Sequence, residues 1–569
     1  MKKNFKMVLA AVLALVLALA AFGCGTSDNK SDPKNTAGSA TPTSAPDATP
    51  TEEPTATPEP DPDVMRKDPI DAPYASAFTV SKTFSKDMVV QRGERIRVWG
   101  WADESENGKK VSGEFMGMFA EGLVEDGEWV ITFGAKLDAN AEPGNDMRIY
   151  TDTQEVVFTD VLVGDVYMVI GQSNCAYPMT SHWAYIDKND EERVAQKFVN
   201  GDLPIRLNYN SFQNSYGNKR GTTDLTKDIK AKTSWRKASK GTVSTFSAIG
   251  YLFAYNIVKL TNSTVPVGMI EIDGNGMPLS HFLPNEVADA NGTDKWNESK
   301  GYYVGTGVNA GQARYMYNEY MHPFDKMAMA GILWYQGESD LQDSEAGRYA
   351  KAYCELMDYL RERHNLVNKN FPVYFIEFPS EYTRPANYTG KEGWAYMDFG
   401  KIRGIMGGMV TMRETFYQIM SNDLWADTTF WNSLHPNCKY EQGLRAAQIA
   451  CAVNGDGGIK LEDASGPIIE SITYSSDGKK ATLKYKNVGE GLKTVDGDAN
   501  VNGYNILTGV NKIGAKITGK IVGKDTVEIT CERSMEGLAY NVITTYFFGK
   551  EINLCNSAGI PAGAFLLNK

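Results

Sequence analysis

VLVGDVYMVIGQSNCAYP, Val161 to Pro178, is the stretch whose reading decides the fold. Val166 to Ile170 is an apolar run of strand length that breaks on Gly171 and delivers the chain into a polar turn carrying Ser173. A serine placed there lies at the carboxyl end of a buried strand, where open α/β sheets gather their chemistry. The backbone N–H groups that follow can open a helix or turn and point at a developing oxyanion. Ser173 therefore stands where a nucleophile stands. The same serine reads equally as a plain helix cap unless a base, an acid and further donors occur elsewhere.

Upstream, Lys2, Lys3 and Lys6 precede an apolar run, Met7 to Ala21, that is short for a membrane span and leads to Gly23-Cys24. This is the pattern of an export signal. Ala21-Phe22-Gly23-Cys24 resembles the lipobox of bacterial lipoproteins, which implies a signal at residues 1–24 with Cys24 lipidated and an extracytoplasmic, membrane-anchored product. Residues 25–66 are rich in Thr, Ser, Pro, Asp and Glu. Such a segment buries too little apolar surface to offset its ordering entropy, so it is expected to be a disordered, proline-extended linker. An anchor and tether of this kind suit a protein working on large material outside the cell.

About 500 residues remain, enough for two to four domains with full cores. The formal net charge of −12 excludes a nucleic-acid partner that requires a basic footprint. The cysteines beyond Cys24, at 175, 354, 438, 451, 531 and 555, include no close pairs with structural-zinc spacing, so no metal is expected. Cys531 and Cys555 are either a pair within one domain or free buried thiols.

Residues 67–160 read as all-β: short alternating segments, Ile96 to Gly100 and Trp129 to Phe133, are separated by Gly, Asp and Asn turns. The runs Asp87-Met88-Val89-Val90-Gln91-Arg92, Val98-Trp99-Gly100-Trp101-Ala102, Asp126-Gly127-Glu128-Trp129 and Asp160 to Val166, leading into Gly171-Gln172-Ser173-Asn174, together resemble the sialate O-acetylesterase family of SGNH, or GDSL-like, hydrolases. From 161 to 461, strand candidates at Val166 to Ile170, Val267 to Ile272, Ala330 to Tyr335 and Val373 to Phe378 alternate with helical stretches such as Ala346 to His364. That alternation predicts an α/β fold, a three-layer α/β/α domain with a parallel sheet. Residues 462–569 return to β character at Ala481 to Tyr485 and Thr526 to Thr530. Their closing run, Asn553 to Phe565, resembles the end of the same family. The expected architecture is an SGNH-type domain flanked by two β-sandwich-like domains.

Each strand end carries polar residues. After Val267 to Ile272 comes Asp273-Gly274-Asn275-Gly276-Met277-Pro278. The resemblance implies that Gly276 offers a backbone N–H to an oxyanion, while Gly274 and Asn275 depart from the family's tryptophan, glycine and threonine there. The run Gly331 to Ser339, GILWYQGES, is very like the family's third block. A side-chain amide at a strand end can donate to an oxyanion, which marks Gln336 beside Asn275 as a further donor. Glu338 is either the carboxylate of a triad or a group that holds its loop by hydrogen bonds.

Of the five histidines, His364 is expected at an exposed, charged helix end, and His182, His281 and His322 lie near the blocks. His435, in Asn432-Ser433-Leu434-His435-Pro436-Asn437, precedes a helical stretch and matches the family's fifth block, which implies the base that takes the serine's proton. Many relatives carry an aspartate two or three residues earlier, where this chain has Asn432 and Ser433. An amide orients an imidazole without stabilising imidazolium by charge, so the acid is sought elsewhere: Glu338 first, then Asp423 and Asp427.

The expectation is a cofactor-independent carbohydrate O-acetylesterase, with Ser173 as nucleophile, His435 as base and an acetylated glycan, either polysaccharide or sialic acid, as substrate. The competing expectation is a glycan-binding surface lipoprotein that kept the fold and lost turnover. Its motive is the missing aspartate before His435.

Overall fold

A computed structural model of the 569-residue chain describes residues 69–134, 136–184, 202–210, 224–229, 233–293, 314–340, 346–379, 399–424, 435–509, 512–532, 534–535 and 552–565. It is a mixed α/β structure with several sheets. Cys24, the linker, Asp427, Asn432 and Ser433 lie outside the described residues.

The first sheet has seven antiparallel strands in the order Thr79–Val80, Arg97–Trp101, Glu128–Thr132, Met118–Glu125, Lys110–Phe115, Met147–Tyr150 and Glu155–Phe158. Its alternation is real: in Glu128–Thr132 the side chains of Trp129 and Ile131 turn inward while their neighbours stay half exposed.

The central sheet is mostly parallel. Its strands in chain order are β1 (Val89–Gln91), β2 (Leu162–Gly171), β3 (Ile205–Tyr209), β4 (Trp235–Lys237), β5 (Val267–Asp273), β6 (Gly331–Tyr335), β7 (Val373–Ile376) and β8 (Phe416–Ile419). Across the sheet they run β4-β3-β5-β2-β6-β7-β8, with β4 antiparallel and β1 pairing with the start of β2. Every residue of β2 is buried, as expected for the central strand of a covered parallel sheet. From β2 the chain builds β3 and β5 on one side and then crosses to build β6, β7 and β8 on the other. Such a reversal opens a crevice at the carboxyl end of the first strand, which is where Ser173 follows β2.

Among the described residues, four longer helices accompany this sheet: α1 (Ala248–Leu260), α2 (Ala346–His364), α3 (Phe399–Met409) and α4 (Lys439–Asn454). Helix α1 is apolar nearly all round and lies between β5 and α4, and α2 pairs with α3. Ser247 starts α1, its hydroxyl accepting the Gly250 N–H at 3.2 Å.

The first β region and the central sheet are joined. Strand β1 belongs by sequence to the first β region yet pairs with Leu162 to Gly164 of β2, and the buried apolar residues from Ala75 to Ile468 form one continuous core. Arg92 fastens the two regions further. Its guanidinium bonds the nearly fully buried Asp165 at 2.8 and 2.9 Å and also reaches Asp456.

A second core underlies the last five-stranded antiparallel sheet, ordered Ile468–Tyr474, Lys480–Lys486, Thr526–Thr530, Lys512–Gly523, Val501–Gly509. The closing segment then returns to the central region: Asn422 donates to the carbonyl of Ala562 at 2.7 Å, and the Ala564 N–H donates to Glu377 at 3.0 Å. Cys531 and Cys555 are free thiols.

Candidate active site

Three strand ends meet in register. Asp273 of β5, Gly171 of β2 and Tyr335 of β6 are direct neighbours across the sheet, so the turns that follow, carrying Asn275, Ser173 and Gly337, emerge side by side. Gly171 permits this: a β-carbon there would lie 2.0 Å from the carbonyl oxygen of Tyr335. The Gln172 N–H donates to that carbonyl at 3.2 Å, and the Ala176 N–H closes a single helical turn on Gln172 at 2.8 Å. Ser173 is half-buried between the buried Gln172 and Asn174, a partly open position for a reactive hydroxyl.

The β5 turn is fixed to the same place. The Gly274 N–H donates to the Gly171 carbonyl at 3.1 Å and the Met277 N–H to the Gly274 carbonyl at 3.2 Å. Gly276 sits at φ 69°, the left-handed region that favours glycine, and Asn275 and Gly276 are both half-buried.

Gln336 is placed differently from expectation. Its Nε2 donates to Asp340 at 2.6 Å, to the Met277 carbonyl at 3.1 Å and to Gln172 at 3.3 Å, while its Oε1 accepts from Tyr349 at 3.0 Å. An amide with two hydrogens facing three acceptors has none left for an oxyanion. Gln336 instead laces the turns together, helped by Gln172 Oε1, which accepts the Ser339 N–H at 3.1 Å.

Glu338 also departs from its first-choice role. Its Oε1 accepts from Asn174 Nδ2 at 2.6 Å, and its buried Oε2 accepts no hydrogen bond among the described residues, so neither oxygen is bonded to His435. Burial pushes this carboxyl up to about 7, against the lowering pull of Asn174 and of the Lys439 charge. Asp423 holds Arg445 through two 2.7 Å bonds, which removes it as a free partner for the histidine.

His435 arrives from the far end of the sheet and stacks on Tyr177, ring centroids 6.4 Å apart at 22°. Tyr177 lies four residues after Ser173, so the histidine stands on the same side of the crevice as Ser173. Burial first, and then the charge of Lys439, hold its imidazole down to about 4, keeping it neutral and ready to accept a proton at pH 7.

The residue-type reading passed over Asn174 and Lys439. Lys439, fully buried at the start of α4, donates to Asn174 Oδ1 at 2.8 Å and to the Pro436 carbonyl at 2.9 Å. The signal was present: a lysine one helical turn after the histidine, entering an otherwise apolar helix face, has to bury its charge somewhere. The other histidines are accounted for elsewhere. His364 is buried, not exposed, because its Nδ1 bonds the Met327 carbonyl at 2.8 Å beneath the end of α2. His322 bonds the Thr226 carbonyl at 2.8 Å, and His182 and His281 are buried.

The chain is similar to several known proteins. Residues 163–395 match the family model described as carbohydrate esterase, sialic acid-specific acetylesterase. The sialate O-acetylesterases of Pongo abelii and Homo sapiens are each 24% identical to the chain over 329 residues, covering 55% of the chain and 57% of the relative. The chain thus spans little more than half the length of these curated relatives. A carbohydrate acetylesterase from Xanthomonas citri shares the fold, with a TM-score of 0.64 at 21% identity over 87% of this chain and all of that one. Residues 163–395 are thus similar to the carbohydrate esterase, sialic acid-specific acetylesterase family.

Proposed function

We propose that this protein is a serine esterase that removes O-acetyl groups from carbohydrate outside the cell. The observation that carries the reading is the register of the three strand ends, which sets Ser173 beside the Asn275-Gly276 turn with His435 on the same side. Ser173 Oγ attacks the acetyl carbonyl as its proton passes to His435. The N–H groups of Ser173 and Gly276, with the Asn275 amide, stabilise the oxyanion. His435 returns the proton to the departing sugar oxygen as the ester C–O bond breaks. Water, deprotonated by the same histidine, then releases acetate from the acyl-enzyme. With Glu338 on Asn174 and Asp423 on Arg445, Asp427 is the remaining one of these three carboxylates to support the imidazolium.

The two separate helix pairs, α1 with α4 and α2 with α3, support a three-layer α/β/α arrangement for this region. The lipobox-like Ala21 to Cys24 supports lipid anchoring; fatty acid labelling of the wild type that persists in Cys24→Ser would remove that part of the reading.

Hydrolysis of p-nitrophenyl acetate is the direct test. The wild type should turn it over and Ser173→Ala should not, with a melting temperature within a few degrees, as expected for a change of about 1 kcal/mol at a half-exposed site. A pure Ser173→Ala protein that keeps its activity removes the assignment. A wild type no faster than that control is the glycan-binding alternative. Acetate release from acetylated polysaccharides and from acetylated sialic acid then identifies the sugar.

A further inference from the structure

We propose that Lys439 is a positioning residue of this site, a buried cation that clamps the histidine loop to the nucleophile turn. The inference rests on the esterase reading above and adds a residue to it. Lys439 is fully buried, and its ammonium bridges Asn174, next to Ser173, and the carbonyl of Pro436, next to His435. It also lies over the rings of Tyr177 and Tyr335, at 5.3 and 4.8 Å from their centroids. One group therefore touches the turn after β2, the end of β6 and the histidine loop. Tyr177 is at the same time the ring on which His435 stacks.

Burying an unneutralised ammonium is costly, so its retention calls for a compensating arrangement. Here Asn174 supplies it, accepting from Lys439 with its oxygen and donating to Glu338 with its nitrogen. The charge has a second effect. Among the described residues, Tyr177 and Lys439 face His435, and Glu338 through Asn174, Cys175, Cys438 and the two tyrosines face Lys439. Lys439, held down to about 8 by burial, is mostly charged at pH 7 and disfavours imidazolium beside it. The clamp thus aligns the base and keeps it unprotonated in weakly acidic surroundings.

The test uses Lys439→Met and Lys439→Gln in the full chain. The glutamine keeps a donor without charge. In Lys439→Met, kcat should fall by about 10²-fold, the cost of a misplaced catalytic group. In both variants the acidic limb of the kcat/KM profile should move up toward the ordinary histidine value of 6.5. NMR titration of the His435 ring, assigned with His435→Gln, should show the same rise and requires no turnover. Failure of the clamp is therefore distinguishable from failure of the esterase reading. Lower stability with an unmoved acidic limb and an unmoved His435 midpoint would reduce Lys439 to a structural residue and overturn the proposal. So would a wild-type kcat in folded Lys439→Met. If Lys439→Met does not fold, the two pH midpoints of Lys439→Gln decide.

Discussion

Asn174 Nδ2 and Glu338 Oε1 are 2.6 Å apart, so the residue after Ser173 is fastened to the β6 loop by a buried charge-assisted hydrogen bond. A glutamine at 338 can present its carbonyl oxygen to the same amide. Glu338→Gln should therefore keep kcat within about tenfold of wild type, far from the roughly 10⁴-fold loss that follows removal of a triad acid in the serine-protease case. Glu338→Leu, which leaves the Asn174 amide without its acceptor, should lower both kcat and thermal stability. Steady-state kinetics on one acetyl ester decide, and a 10³-fold or larger loss in well-folded Glu338→Gln would restore Glu338 as the acid.

Asn275 occupies a half-buried position beside Gly276. If its amide meets the oxyanion, Asn275→Ala should lower kcat by about 10²-fold or more with little change in KM, as for the loss of one oxyanion donor. A rise in KM at constant kcat would assign it to ground-state substrate binding instead.

Glu377, at the end of β7, is pushed up from 4.5 to about 7, burial outweighing the charge of Arg403 and the N–H groups of Ala564 and Ser421. A carboxyl with a raised folded-state value binds its proton more tightly when folded. Its contribution is complete below pH 4.5 and is lost as pH rises through about 7. The stability of the wild type relative to Glu377→Gln should accordingly fall between pH 5 and pH 8, by up to about 3 kcal/mol. Denaturant midpoints of both proteins across that range give the slope, and a flat or rising difference contradicts it.

Arg92 neutralises Asp165, which is 1% exposed within the central strand. Arg92→Met strands that carboxylate with only the amides of Asn454 and Gln91, at 3.1 and 3.3 Å. Breaking one side of a buried pair costs about 3–5 kcal/mol, and because the arginine ties the first β region to the sheet, the loss should appear as a lower urea midpoint of the whole unit. An unchanged midpoint would mean that the two amides alone satisfy Asp165.

Much of the core was legible because it is periodic or continuous. Val166 to Ile170 and Gly331 to Tyr335 carry no charged residue, Val267 to Ile272 is interrupted only by Glu271, and all three lie in buried strands. The helix expected at Ala346 to His364 has those bounds. Strands β3 and β8 were not legible: IRLNY and FYQI are short and mixed, and are strands because neighbours on the sheet complete their hydrogen bonding. At the site, the sequence order of Ser173, Gly276, Glu338 and His435 marked the turns that the sheet brings together. It could not say where a flexible side chain spends its hydrogen bonds. Gln336, Glu338 and Asp423 each have several acceptors or donors in reach, and only the packed loops choose among them.

The docking of Ala562 and Ala564 onto Asn422 and Glu377 also has a meaning in time. Those two side chains stand at the ends of β7 and β8, in the strand-end layer that leads on to the histidine loop, and their partners lie 140 and 187 residues later in the chain. A chain still being made, or threaded outward from its amino end, has Ser173 in hand hundreds of residues before it has the brace for that layer. The nascent polypeptide should lack this brace until Ala562 and Ala564 have emerged, and removing the segment that carries them should loosen the strand-end layer around Asn422 and Glu377.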